Sequence, residues 1–502
     1  MSLLSDLLAK GRPVGDHRPW PRVVVQEAVW TAVIAGLAER RLTLLGLWGE
    51  PDGVHMALLE EPAGAVAVLG LDCPDGRFPS VAARHAPALR LERSLCDLFG
   101  LEPVGLNDAR PWLDHGRWGL SAPLGAARPS DASGSTYRFL RAEGESLHQI
   151  PVGPVHAGII EPGHFRFTAN GETIVRLEAR LGYLHKGLDG LMAGAELERA
   201  AALAGRISGD STVAYAIAFA RAAEAALGTE APPRAQWLRA VMAEVERLAN
   251  HLGDIGAICN DAAFALMHAH CGALRERVLR TAETCFGHRL MRDRVVPGGV
   301  AVDLGPEGLL SLRDLIGNIR RRFPTLVELY DNTASLLDRT VATGILAPDL
   351  ARRFGAGGYV GRASGRAFDA RRAPGYPPYD SLDFEVPVRE HGDVNARIWI
   401  RIREVEQSLS LIEQILARLP EGPLRRPLPS AAGEGMALVE GFRGDVLAWL
   451  RLDGGGKVLR CHLRDPSWFQ WPLLEAAIEG NIVADFPLCN KSFNCSYSGV
   501  DL

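Results

Sequence analysis

Residues 205–228 read GRISGDSTVAYAIAFARAAEAALG, a small polar turn that runs straight into an apolar, Ala-rich segment of helical character. Ser208, Asp210 and Ser211 can each accept a bond from a free backbone N–H, so the turn predicts a helix N-terminus pointing at whatever lies in front of it. Taken alone, the stretch is a capped core helix.

The segments around it have the same character. PPRAQWLRAVMAEVERLANHLGDIGAICND follows, and its Trp237, Val241, Val245, Leu248, Leu252, Ile255 and Cys259 form one continuous stripe. Arg239, Glu246, Arg247, Asn250 and Asp254 fall largely off the stripe, which predicts a long helix with one buried face. A second helix is expected through Leu274 to Phe286, and the pair ends at Val296-Pro297-Gly298-Gly299-Val300, a fixed turn. Further helix follows over 306–343. Ile402, Val405, Leu409, Ile412, Leu416 and Leu419 mark another helix that Pro420 stops. The region between, rich in Gly, Arg and Pro, reads as loop and short strand. The tail reads as a two- or three-strand sheet with a turn at Gly454-Gly455-Gly456.

Upstream, Gln26–Glu39 has a helical pattern, and LTLLGLWGE, HMALLEE and AVAVLGLD read as three strands. Leu91, Leu95, Leu98 and Phe99 repeat at helical spacing and Gly100 can end that helix. Residues 121–149 are rich in Ala, Pro, Gly and Ser and read as a linker. After it come a hairpin turning at Asn170-Gly171 and a helix near His185. The fold class is therefore α+β: a small α+β domain over 1–120, the linker 121–149, and a large, mainly helical domain with peripheral β-hairpins over 150–502.

Composition narrows the function. With 502 residues, 47% hydrophobic and 23% charged, the chain can bury large cores. A formal net charge of −5 leaves no basic footprint, which argues against nucleic acid as a partner. The apolar stretch Ala28 to Ala38 is about half the length a bilayer span needs. Eight cysteines lie scattered without zinc-type spacing, as expected of reduced thiols in the cytoplasm.

Specific segments carry a resemblance. Phe78-Pro79-Ser80, Leu91-Glu92-Arg93, Asp97-Leu98-Phe99-Gly100 and Asp108-Ala109-Arg110-Pro111, in that order, look like the C subunit of NADH-quinone oxidoreductase (complex I). Gly153, His156, Gly182, His185 and Gly187 fall on a pattern similar to the complex I D subunit and the hydrogenase large subunit. The Pro-Gly-Gly turn, R-A-S-G from Arg362, D-A-R-R from Asp369 and G-D-V-N-A-R from Gly392 resemble the D subunit again. The spacing from Arg206 to Glu224 resembles the first metal-binding motif of the membrane-bound, energy-converting nickel–iron hydrogenases, of the formate hydrogenlyase type. The chain thus looks like fused C and D subunits of complex I or a hydrogenase large subunit, with Ser208 and Ser211 at the two cysteine positions and Tyr215 at the histidine position.

The resemblance implies a component of a membrane-associated oxidoreductase complex, peripheral on the cytoplasmic face of the inner membrane. It would partner an iron–sulfur protein similar to the small B subunit and, through the complex, membrane proteins similar to antiporters and to the H subunit. Hydroxyls are poor ligands for a soft metal, and the second C-x-x-C falls on Ser492 and Cys495, with Cys489 outside it; no metal site is expected. The acceptor the resemblance implies is a quinone, with the iron–sulfur cluster held by the partner. The family's quinone-binding tyrosine falls at Phe219, and its loop histidine at Glu161 or Pro162. Tyr215 lies one turn earlier on the same helix face and is expected to replace that tyrosine, its hydroxyl sharing a pocket with Glu161 or His164. His156, Arg206, Phe219, Pro297, Gly298 and Gly299 are expected to frame the cavity, and the face around Arg206 and Pro297 to be covered by the iron–sulfur partner. Charged residues such as His156, Arg166 and Arg371 either serve that face or are solvated. A non-redox structural or coupling component is the alternative, and a working hydrogenase the third reading.

Overall fold

The computed structural model describes residues 3–130, 137–156 and 160–502. The chain is α+β. Near its N-terminus the helix Glu27–Ala38 packs on a five-stranded sheet in the order Arg12–Pro13, Arg22–Val24, Ala65–Asp72, Gly53–Glu60, Thr43–Glu50. The last three strands pair antiparallel along their lengths, and Arg22–Val24 joins Ala65–Asp72 in parallel. The helix Leu89–Phe99 closes this layer and ends at Gly100, whose φ of +69° is the left-handed cap.

The rest is built on helices. Thr212–Ala226, Pro233–Asp261, Ala265–Phe286, Pro306–Asp331 and Val394–Arg418 share one large apolar core with the C-terminal strands Gly433–Gly441, Gly444–Leu452 and Val458–Arg464. Strand and helix approach closely: a Cβ at Gly435 would stand 2.0 Å from the Ala222 carbonyl oxygen, so only glycine fits there. The expected helix near His185 is short, Leu188–Met192. The strand Leu147–Val152 begins inside the stretch read as linker, and pairs with His164–Asn170.

One pairing has no local signal. His17–Arg18 adds a parallel fourth strand to the C-terminal sheet, opposite Glu434 and Gly435. Buried bonds reinforce this seam: Arg22 pairs with Glu434, and Arg464 Nε donates to the Leu45 carbonyl at 2.6 Å. A second apolar cluster spans Val54, Leu95 and Trp112 on one side and Phe165, Trp471 and Phe493 on the other. Among the described residues, no helix is long and apolar enough to cross a membrane.

Candidate functional site

The polar turn sets the site, but it does not cap the helix that follows. Ser211 occupies the cap position without a side-chain cap bond. The carboxyl group of Glu246, from the facing helix Pro233–Asp261, takes its place and accepts from Val213 N at 2.7 Å and Ala214 N at 3.1 Å. Burial pushes the Glu246 carboxyl up to about 8, against these two bonds, so the cap is largely a neutral acid at pH 7.

The serines are turned elsewhere. Ser208 and Ser211 both donate to the Asp210 carboxylate, Ser211 at 3.4 Å. Arg443 grips the same carboxylate with two nitrogens, one at 3.0 Å, and its Nη1 also donates to Ser211 Oγ at 3.1 Å. Its Nε donates to the Asn494 carbonyl at 2.5 Å. The guanidinium, 5% exposed, therefore ties the first motif to the C-terminal segment holding Ser492 and Cys495. Burial works against both charges, but the pairing outweighs it: the Asp210 carboxyl is held below its ordinary range and Arg443 well above its own.

This donor set does not fit a nickel–iron centre. Ser492 Oγ donates to the Cys489 carbonyl at 2.6 Å and accepts from Arg397 Nε at 2.9 Å. Burial pushes the Cys495 thiol far above its ordinary value and the Cys489 thiol up to about 11. Ser208, Ser211 and Ser492 offer neutral hydroxyls already engaged by protein partners, and the one carboxylate beside them, Asp210, is held by Arg443, so a soft dication finds no thiolate set here. Among the described residues, no three His, Cys, Asp or Glu side chains group as metal ligands.

Tyr215 departs from expectation. Its hydroxyl donates to Asp465 Oδ2 at 2.6 Å in full burial, instead of sharing a pocket with Glu161 or His164. Burial and then the Asp465 charge push the phenol well above its usual value. The link to the loop is indirect: Asp465 packs against Gly499, and the neighbouring Ser498 N donates to Glu161 Oε2 at 3.3 Å. The physical reason is that a buried carboxylate next to Arg443 attracts the phenol more strongly than an exposed one across the tail.

The remaining expected residues fall into three places. His156 and His164 each bond a backbone carbonyl across the described ends of their loop, while Glu161 meets the C-terminal tail at Ser498 N. His164 Nδ1 donates to the Gly153 carbonyl at 3.2 Å while Nε2 accepts from Arg166 at 3.3 Å, the pattern of a neutral ring, and burial lowers its pKa accordingly. His156 Nε2 bonds the Gly163 carbonyl at 2.7 Å. Phe219 is fully buried in the main core, and Arg206 is exposed and paired with Asp293 at 2.6 Å. Pro297, Gly298 and Gly299 lie at the far end of the helix. Gly298 N donates to Glu224 at 2.9 Å, and Arg239 bridges Glu224 to the Val296 and Gly299 carbonyls. Glu224 lies thirteen residue steps beyond Ser211 along the helix, about 20 Å. The turn therefore does not border the same cavity; Cβ atoms at Gly298 and Gly299 would lie 2.3 and 2.0 Å from carbonyl oxygens of 426 and 424, which fixes it where it is.

Behind the site lies a buried ionic cluster that the sequence reading missed. Arg247 donates to the Gly441 carbonyl at 3.0 Å and the Glu440 carbonyl at 2.8 Å, directly bracing the turn that carries Arg443. Arg362 bonds Glu404 and Glu440, both at 2.9 Å; Arg371, expected on an outer face, is 3% exposed and bonds Glu244 and Asp369. Three guanidinium groups thus face four carboxyl groups. One carboxyl is in excess, and Glu440 is where that excess is relieved: burial and then the Asp369 charge raise its carboxyl to about 7, so it is partly protonated at neutral pH.

Comparison with known proteins identifies the family. The family described as the 49 kDa subunit of respiratory-chain NADH dehydrogenase matches residues 261–431 and 426–502. Formate hydrogenlyase subunit 5 of Escherichia coli is 33% identical over 493 residues, covering 94% of this chain and 84% of that protein. The carbon monoxide-induced hydrogenase of Rhodospirillum rubrum is 33% identical, over 70% of this chain and 98% of that one. The D subunit of NADH-quinone oxidoreductase from Syntrophobacter fumaroxidans is 32% identical, over 69% and 95%. Among solved structures, a chain of the membrane-bound sulfane sulfur reductase, an archaeal respiratory membrane complex, superposes with a TM-score of 0.68 at 28% identity, over 72% of this chain and 100% of that one.

Proposed function

Because the chain belongs to the family that unites the 49 kDa (D) subunits of respiratory-chain NADH dehydrogenase with the large subunits of membrane-bound hydrogenases, we propose that it is the large subunit of a complex I-type membrane oxidoreductase that works without a nickel–iron centre. Electrons arrive from an iron–sulfur partner and leave to a quinone-type acceptor. In this reading residues 1–120 and 150–502 are the C and D subunits of complex I fused in one chain. The complex lies on the cytoplasmic face of the inner membrane, with membrane partners similar to antiporters and to the H subunit.

The Asp210–Arg443 pair carries the proposal. It joins the turn holding Ser208 and Ser211 to the segment holding Ser492 and Cys495, the two stretches that resemble the hydrogenase ligand motifs, through an ion pair rather than thiolates. Polar groups at that place already have protein partners, so the acceptor is received at the rim, where Glu161 meets the 496–501 tail. There Glu161 is exposed and His164 is neutral, a carboxylate and an imidazole able to relay the protons that accompany quinone reduction.

The purified complex, with its iron–sulfur partner reduced by dithionite, should reduce a short-chain ubiquinone analogue. Glu161→Gln should slow this about a hundredfold while assembly stays intact, the usual scale for loss of a positioned proton donor. Wild-type turnover in the variant would count against the rim site. One observation favours a second reading, a coupling component with no reaction of its own: the Tyr215 hydroxyl is committed to Asp465. An assembled wild-type complex inert towards every quinone tried would support it.

A further inference from the structure

A second cavity lies at the other end of the helix Thr212–Ala226. Its volume is about 520 Å³, the size of a small-ligand site. It opens where the strand His17–Arg18, the turn after the helix, the 374–377 loop and the strand Gly433–Gly441 meet, so both ends of the chain build it.

Two arginines face it. Arg221, half-buried, lies over the ring face of Tyr376, its guanidinium carbon 4.9 Å from the centroid. Arg18 is exposed and lies against Gly228, where a Cβ would stand 2.4 Å from its Nη1. Among the described residues, neither guanidinium has a hydrogen-bond or ion-pair partner. That is costly for Arg221, and burial lowers its pKa. A half-buried guanidinium with no directly bonded carboxylate beside an open cavity can receive an anion, and its planar fork suits a carboxylate or a phosphate.

The charge around the cavity chooses between these. Glu224 lines it, but Arg239 and Gly298 N–H already hold that carboxylate. Glu230, exposed, adds one more negative charge. With Arg239 counted, three cations meet two anions, a surplus of one positive charge. Pro19, Trp20, Pro377 and Met436 give the cavity apolar walls. We propose that this cavity binds an organic monocarboxylate with a flat apolar body, its carboxylate held by Arg221 and Arg18 and its body against Trp20.

Isothermal titration of the purified complex with 2-naphthoate tests this, with the neutral 2-naphthalenemethanol and inorganic phosphate as comparison probes. Naphthoate should bind, and the other two should bind at least about tenfold more weakly, the scale of one lost charge-assisted bond. Arg221→Gln should weaken naphthoate at least about tenfold, and Arg18→Gln, which changes only an exposed side chain with no hydrogen-bond or ion-pair partner among the described residues, severalfold. Quinone-analogue turnover should be unchanged in Arg18→Gln, which separates this cavity from the rim site. Naphthoate binding that is absent, that is equalled by phosphate or the alcohol, or that survives Arg18→Gln undiminished would overturn the proposal.

Discussion

Arg362→Met should be the most destabilising single change in the chain, at about 3–5 kcal/mol. Arg362 is fully buried, and it holds Glu404 and Glu440 at 2.9 Å each and the Phe368 carbonyl at 2.9 Å. Methionine fills similar space but carries no charge, so two guanidinium groups would then face four carboxyl groups in a water-excluded interior. Glu404, now held well below its ordinary value against its burial chiefly by Arg362, would lose that support and bury a charge with only His251 and Arg247 beside it. Such a loss is a large share of the roughly 5–15 kcal/mol that stabilises most domains. Thermal unfolding of the purified complex should show a clearly lowered midpoint and poor accumulation of the variant. An unchanged midpoint would mean that the cluster does not hold the helices Pro233–Asp261 and Val394–Arg418 to the C-terminal strands.

Asp210→Asn should cost about 3 kcal/mol, the lower end of the same range, because Asp210 is 32% exposed and water can reach the gap it leaves. The orphan is Arg443, which would keep its bonds to Ser211 and Asn494 but lose its counter-charge. The double change Asp210→Asn with Arg443→Met should be more stable than Asp210→Asn alone, since removing both members leaves no unpaired charge. Hydrogen exchange of the 492–495 segment should rise in the single variant and fall back in the double. If the double variant is the weaker of the two, Arg443 is held by something other than Asp210.

Much of the fold could be read from the sequence wherever periodicity was its cause. The strands Thr43–Glu50, Gly53–Glu60 and Ala65–Asp72 lie where their apolar runs put them, and Val394–Arg418 ends just ahead of Pro420. The same periodicity misled on Pro233–Asp261. Arg239, Glu246, Arg247 and Asp254 fall off the apolar stripe, the pattern of a solvated face, yet all four are buried, each bonded to another element. A polar face buried by ion pairs and hydrogen bonds is indistinguishable, in one sequence, from a polar face in solvent.

The site was half legible for a related reason. The resemblance located Ser208, Ser211 and the C-terminal segment, and the structure joins them. What joins them, Arg443, comes from a tight turn some 230 residues away and carries no spacing signal. Glu246 replaced the expected serine cap because those serines had a charged partner to serve instead. Tyr215 chose Asp465 over the loop on the same ground: a partner distant in sequence, fixed by packing alone.

Elemental analysis of the complex, purified from cells grown with added nickel, is the most direct test. If Ser208, Ser211 and the Asp210–Arg443 pair have replaced the metal site, nickel should be absent at any stoichiometric level, and the only iron should follow the iron–sulfur partner. About one nickel for each copy of this chain would contradict it.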